Sequence, residues 1–223
     1  MRVTVVGAGR IGGNIAAQLA RRGHDVTVTF SRDPDALAAD AADMGARAAA
    51  PADAVADAEA VVLSVPWTVV EEAVAQTGQL DGAVVVDTTN QYGPGGVQQL
   101  ETTAVERNAA LMPGARLAKA FNTYTAGFQR DVGDGRAADP VAMFYAAQDD
   151  DARSVAAQLV QDCGFVPVLL GGWEQVALME APRRPGAVYG ESYRPEDAQD
   201  IAEAAARDLD EASRLADARK RTG

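Results

Sequence analysis

The stretch Arg2-Val3-Thr4-Val5-Val6-Gly7-Ala8-Gly9-Arg10-Ile11-Gly12 joins a short β-branched run to a GxGxxG turn. Beyond it, Ile11, Ile15 and Leu19 recur at four-residue spacing towards Arg22, so the turn opens a helix with one apolar face. Strand, glycine turn and helix in this order begin a βαβ unit, the context in which such glycines carry chemical meaning. Gly7 permits the tight turn, Gly9 lets the backbone approach a pyrophosphate, and Gly12 lets helix and strand pack closely. The helix N-terminus attracts phosphate charge, and Arg10 and Ile11 lie in the same expected dinucleotide cradle.

Working outward, Gly23 caps the helix and Asp25 to Phe30 reads as a second strand. A helix from Pro34 to Met44 follows, capped by Ser31 or Asp33 and closed by Gly45. The end of the second strand separates the two nicotinamide dinucleotides. A site for NAD places a carboxylate there for the ribose 2′-OH, whereas a site for NADP removes that charge and supplies arginine. Phe30-Ser31-Arg32 offers a hydroxyl and a planar guanidinium fork, which suit a 2′-phosphate, so NADP(H) is the expected cofactor.

The alternation continues with strands at Ala60 to Val65 and Ala83 to Asp87, joined by a helix over Trp67 to Gln76. A helix is expected over Val97 to Leu111 and a strand over Ala115 to Phe121. A loop from Gly127 to Pro140 leads to strands at Val141 to Ala146 and Phe165 to Leu170, with a helix at Asp151 to Cys163 between them. A helix near Trp173 to Met179, a Pro/Arg/Gly loop and a long helix from Pro195 to about Ala218 complete the chain. The pattern predicts an α/β protein with a Rossmann-type doubly wound parallel sheet and a small C-terminal α/β part. We place the cofactor domain at residues 1–124 and a smaller part for acceptor binding and dimerisation at 125–223.

Ligands of open α/β sheets sit outside the carboxyl ends of the strands. Ser64-Val65-Pro66 and Asp87-Thr88-Thr89-Asn90 should therefore face the cofactor, with Ser64, Thr89 and Asn90 offering hydrogen bonds to ribose and nicotinamide. Trp67 reads equally as a core ring or a cofactor contact.

Composition excludes other chemistries. The 223 residues carry 20 Lys plus Arg against 32 Asp plus Glu, a net charge of −12 that disfavours nucleic acid and anionic membranes. One histidine, His24, and one cysteine, Cys163, leave no metal site and scarcely a Ser-His-Asp hydrolase. Asp149-Asp150-Asp151 reads as a helix cap. No apolar run reaches the ~18 residues of a membrane span, and the opening runs straight into the glycine turn, so a cytosolic protein is expected.

GAGRIGGN, FSRD, SVPW, DTTNQ and Lys119-Ala120-Phe121-Asn122-Thr123 resemble the coenzyme F-420-dependent NADP oxidoreductases, a domain that also forms the cytosolic half of membrane ferric reductases. The resemblance implies hydride transfer between NADP(H) and a deazaflavin held against the nicotinamide, and it suggests a homodimer. It places Asn122 and Tyr124 beside the meeting point of the two rings. This chain has Asn122 where archaeal members tend to have His, and Asn90-Gln91 where the family usually has Asn-Pro.

The acid–base inventory bears on the acceptor. Reducing a carbonyl needs a proton donor, whereas ring-to-ring transfer needs mainly positioning. Lys119 is the rival: it serves either as an acid for a carbonyl or imine or, as we prefer, in an ion pair or phosphate contact. Two alternatives therefore stand beside the deazaflavin reaction. One is an NADPH-dependent reductase of a small carbonyl, imine or flavin substrate, and the other a non-catalytic NADP(H) sensor. The paired Arg183 and Arg184 read as a contact for a phosphate or glutamyl tail, a solvated connection or a dimer contact.

Overall fold

The computed structural model describes residues 1–31 and 33–221. Its first half runs β1 (Arg2–Val6), α1 (Arg10–Arg21), β2 (Asp25–Thr29), α2 (Pro34–Met44), β3 (Arg47–Ala48), α3 (Pro51–Ala56), β4 (Ala60–Leu63), a 3-10 turn at Trp67–Val69, α4 (Val70–Thr77) and β5 (Val84–Asp87). A small hairpin, β6 (Tyr92–Gly93) and β7 (Gly96–Val97), precedes α5 (Ala104–Leu111) and β8 (Arg116–Lys119). The remainder is α6 (Ala126–Gly133), β9 (Ala142–Ala147), α7 (Asp150–Asp162), β10 (Val166–Gly171), α8 (Trp173–Val176), α9 (Pro195–Ala205) and α10 (Leu209–Arg219).

Among the described residues, eight strands form one sheet in the order β10-β9-β8-β5-β4-β1-β2-β3. The six strands from β3 to β8 are mutually parallel in the Rossmann order. β9 then pairs antiparallel with β8, and β10 runs parallel to β9, so the C-terminal strands extend the same sheet in the opposite direction.

Strand periodicity sorts the core into two layers. Val3, Val5, Val62 and Val86 point to the side of Ile15 and Leu19 of α1, together with Leu159 of α7. Val6, Val61, Leu63 and Val85 point to the other side, which holds Val70 of α4, Val105 of α5 and Ile201 of α9. The two-faced burial explains why these strands are continuous apolar runs.

Several expectations need correction. Residues 97–103 are not helical, because Gly96 (φ +104) turns the chain into the hairpin and helix starts only at the Thr103–Glu106 capping box. Part of the expected loop at 127–140 is α6, whose first turn is capped by Thr125 and whose Gln129 and Val132 are buried. Gly127 lies in the first turn of this helix, and Gly133 is its last residue. The helix expected from 195 to 218 is two, broken where the Asp208 carboxylate caps the amides of Asp210 and Glu211. The helix at Trp173 stops at Val176, and β3 and α3 fill the segment before β4. The expected doubly wound parallel sheet is present, with β9 of the C-terminal part joining it antiparallel to β8.

Candidate functional site

The chain leaves β1 towards β2 on one side and pairs β1 with β4 on the other, so a crevice opens between the carboxyl ends of β1 and β4. Gly7 has φ +97, and a Cβ on it would lie 2.5 Å from the Ser64 carbonyl oxygen. A Cβ on Gly12 would lie 2.0 Å from the Gly7 carbonyl oxygen. These two glycines are dictated by backbone packing. Gly9 differs, since a Cβ there would meet nothing within 4 Å. Gly9 is the N-cap of α1 and supplies no side-chain cap, and the first turn has no acidic residue, so the helix end remains open to an anion. Arg10 is exposed beside it and makes no ion pair with the described residues. Ile11 is half-buried against the α1 side of the core.

Gly7, Gly9, Ser31, Ser64, Val65 and Pro66 line one cleft of 590 Å³, as the strand-end argument requires. Phe30 and Leu37 add an apolar wall that sequence reasoning did not assign. Phe30 adopts φ +63, an uncommon conformation for a bulky residue, which turns the chain sharply out of β2 into this cleft. The only available signal was its place at the strand end. The Ser31 hydroxyl donates to the Asp33 carbonyl at 3.0 Å and accepts the Asp33 amide at 3.1 Å, while Asp33 caps α2 through the Ala36 amide. Arg32, expected to read the 2′-phosphate, lies outside the described residues.

The ends of β5 and β8 are tied to each other and to residues 179–181. Asn90 Nδ2 donates to the Asn122 carbonyl at 2.8 Å, and Asn122 Nδ2 donates to Asn90 Oδ1 at 3.2 Å and to the Met179 carbonyl. The Ala181 amide donates to Asn90 Oδ1, and Gln91 Nε2 donates to the Ala181 carbonyl at 2.9 Å. Gln91 thus latches the C-terminal segment. Asn122 Oδ1 is buried without a partner among the described residues. The Thr89 hydroxyl accepts from Asn108 at 3.1 Å, and Thr88 donates to the Ser64 hydroxyl at 3.0 Å. Asn90 and Asn122 are therefore brought together, whereas the Thr89 side chain is directed inward.

Lys119 and the Tyr124 hydroxyl are both engaged within the fold. The Lys119 side chain is fully buried, with Nζ 3.0 Å from Asp87 Oδ2 and 3.5 Å from Glu180 Oε1. Glu180 in turn accepts the Ala104 and Val105 amides at the start of α5. This is the ion-pair role, and the ammonium reaches neither cleft. Tyr124 donates its hydroxyl to the Ala142 carbonyl at 2.7 Å, and burial pushes the phenol above its ordinary range. Its ring stacks on Phe165 with centroids 5.8 Å apart. Trp67 is a core ring, donating to Gln98 Oε1 at 2.7 Å beneath the Arg107 guanidinium.

A second pocket, of 510 Å³, opens beside β8 between Thr123–Phe128 and Arg183–Ser192. Arg183 pairs with Glu191 at 2.7 Å, and Arg184 donates to main-chain carbonyls of Ala177, Glu180 and Pro182. His24 is paired with Asp162 far from both pockets, and Asp149 caps α7. Among the described residues no cluster of side chains suits a metal ion, and no helix is long and apolar enough to cross a membrane.

Residues 2–91 match the model of a family described as NADP oxidoreductase, coenzyme F-420-dependent. No curated protein sequence matches the chain. Among solved structures, a hypothetical protein from Sinorhizobium meliloti is 27% identical with a TM-score of 0.76, the match covering 87% of this chain and 95% of that one. A protein from Arthrobacter sp. FB24, provisionally named an F-420-dependent NADP reductase, is 28% identical with a TM-score of 0.68, covering 79% of this chain and 87% of that one. A reductive aminase from Aspergillus terreus, solved with NADPH and ethyl-5-oxohexanoate, shares the fold at 21% identity and a TM-score of 0.59, covering 79% of this chain and 57% of that one.

Proposed function

We propose, on the premise that residues 2–91 are an NADP oxidoreductase domain of the coenzyme F-420-dependent family, that the chain transfers hydride between NADP(H) and coenzyme F-420 or a related ring acceptor. The observation that carries the cofactor reading is the contrast among the three glycines. Gly7 and Gly12 are fixed by backbone contacts, whereas Gly9 faces open space at an uncapped helix end, which suits a pyrophosphate. Arg10 adds a guanidinium there, Ser31 and Arg32 are assigned to the 2′-phosphate, and Ser64 and Asn90 to the ribose and nicotinamide end. NADP(H), when bound, supplies or receives the hydride.

The protein's own share is positioning. The Asn90–Asn122 pair holds the ends of β5 and β8 in one arrangement, and the 179–181 segment is fastened across them. Residues 1–124 are assigned to the cofactor and 125–223 to the acceptor, acting in the cytosol as a homodimer. Neither Lys119 nor the Tyr124 hydroxyl is available as an acid, which favours an acceptor that needs orientation more than a dedicated proton donor from those residues.

The test is absorbance of the purified chain with NADPH and oxidised coenzyme F-420, run beside an NADPH binding titration. Loss of the deazaflavin band is the expected result. Tight NADPH binding with no reduction of the deazaflavin would overturn the acceptor and leave the cofactor assignment standing.

A further inference from the structure

We infer that the pocket beside β8 recognises its acceptor as an uncharged planar ring and not through an anionic tail. The inference rests on the hydride-transfer reading above and narrows its substrate class. The pocket is built on the segment that follows Asn122, between β8 and α6. Its first wall is Thr123–Thr125, and the opposite wall is fastened to it where the Gly190 amide donates to the Thr123 carbonyl at 3.0 Å. Asn14 Nδ2 donates to the Ala126 carbonyl at 2.7 Å, so the start of α6, directly after this wall, is tied to α1. A volume of 510 Å³ is that of a small-molecule site. The rings of Tyr124, Phe128 and Tyr189 provide flat apolar surface.

The charge on the walls decides between ring and tail. Two guanidinium groups line the pocket, and both are already paired: Arg183 with Glu191 at 2.7 Å, and Arg221 with Asp139 at 2.6 Å. Glu191 itself lines the pocket, so the positive charge of Arg183 is cancelled within the same wall. Arg184, the other half of the arginine pair, is turned onto main-chain carbonyls. A phosphate or carboxylate tail would have to displace a carboxylate from its guanidinium, inside a chain whose net charge is −12. At the cofactor end, by contrast, Arg10 makes no ion pair with the described residues beside the open N-terminus of α1, while Asp40 and Glu72 line the cleft itself.

The polar groups left on the acceptor side are neutral. The Tyr189 hydroxyl meets the Tyr92 hydroxyl at 3.0 Å. Hydroxyls of this kind match the carbonyl and ring-nitrogen edge of a heteroaromatic ring.

The test uses riboflavin and its phosphorylated form FMN, which share one tricyclic ring and differ by a phosphate. Each is titrated by fluorescence into the full chain saturated with NADP+, and NADPH affinity is measured separately. Riboflavin binding at least as tightly as FMN, within threefold, is the expected result. Tyr189→Ala should then weaken riboflavin at least tenfold, with thermal unfolding and NADPH affinity reporting that the variant is folded. If that variant fails to fold, the wild-type riboflavin-to-FMN ratio decides alone. FMN binding more than threefold tighter would overturn the inference, as would no flavin binding to protein that still binds NADPH. Loss of NADPH binding itself would instead overturn the cofactor reading on which the inference rests.

Discussion

Asn90 and Asn122 hold each other across the carboxyl end of the sheet, each side chain donating to the other residue, at 2.8 Å and 3.2 Å. The pair joins two strands that are adjacent in space but 32 residues apart in sequence. The same two side chains anchor Met179 and Ala181. Asn122→Ala removes a buried donor from two acceptors, and we expect a loss of about 1–3 kcal/mol in urea unfolding. The hydride-transfer rate should fall more than NADPH affinity, because the pair sets the geometry of the reacting end. An unchanged rate in a destabilised variant would show that the pair serves the fold alone.

The glycines should separate by role. Gly12→Ala places a methyl against the Gly7 carbonyl and should prevent folding or cost about 3 kcal/mol or more. Gly9→Ala meets no protein atom and should fold normally while losing about tenfold in NADPH affinity, about 1.4 kcal/mol. Circular dichroism melting together with an NADPH titration checks both.

Arg32→Ala should weaken NADPH far more than NADH, since only NADPH carries the 2′-phosphate. Equal losses for the two dinucleotides would remove Arg32 from the site.

Lys119→Met leaves Asp87 and Glu180 buried without their cation and should cost about 3–5 kcal/mol. Adding Asp87→Asn should recover part of that stability, because one stranded charge is removed. A Lys119→Met protein that stays as stable as the wild type and loses only turnover would restore the lysine as a catalytic candidate.

The capping box at α5 predicts a pH signature. Hydrogen bonds from the Thr103 hydroxyl and amide hold the Glu106 carboxyl below its ordinary range. A depressed folded pKa contributes stability above the unfolded value, about 4.3, and loses it as pH falls through the folded value. Thr103→Ala should therefore cost about 1 kcal/mol at neutral pH. The difference from wild type should shrink as the solution is acidified below about 4. A gap that persists undiminished at low pH would show that the carboxylate is not the responsible group.

The amino-acid sequence by itself determined the parallel half of the sheet and the glycine cradle. Those features are written locally: β-branched runs, apolar residues four apart and glycines at fixed offsets act within a few residues of one another. It was legible too that Ser64 and Asn90 lie at strand ends, because alternation alone orients an α/β sheet.

Only the tertiary structure decided how the side chains at those ends are spent. Lys119 could read as an acid until Asp87 and Glu180, 32 and 61 positions away, were seen to enclose it. Tyr124 lines the second pocket, but only the fold shows that its hydroxyl is spent on the Ala142 carbonyl. The α6 helix was hidden by glycine and aspartate content, since its stability comes from Thr125 capping and from burial of Gln129 and Val132. Tyr124 and Arg183 were each legible as site candidates, but not that they line one pocket, for its two walls lie some 60 residues apart and are joined where the Gly190 amide donates to the Thr123 carbonyl. Local propensity fixes where a strand ends; which partner satisfies a buried polar group there depends on contacts that form only when distant segments are folded together.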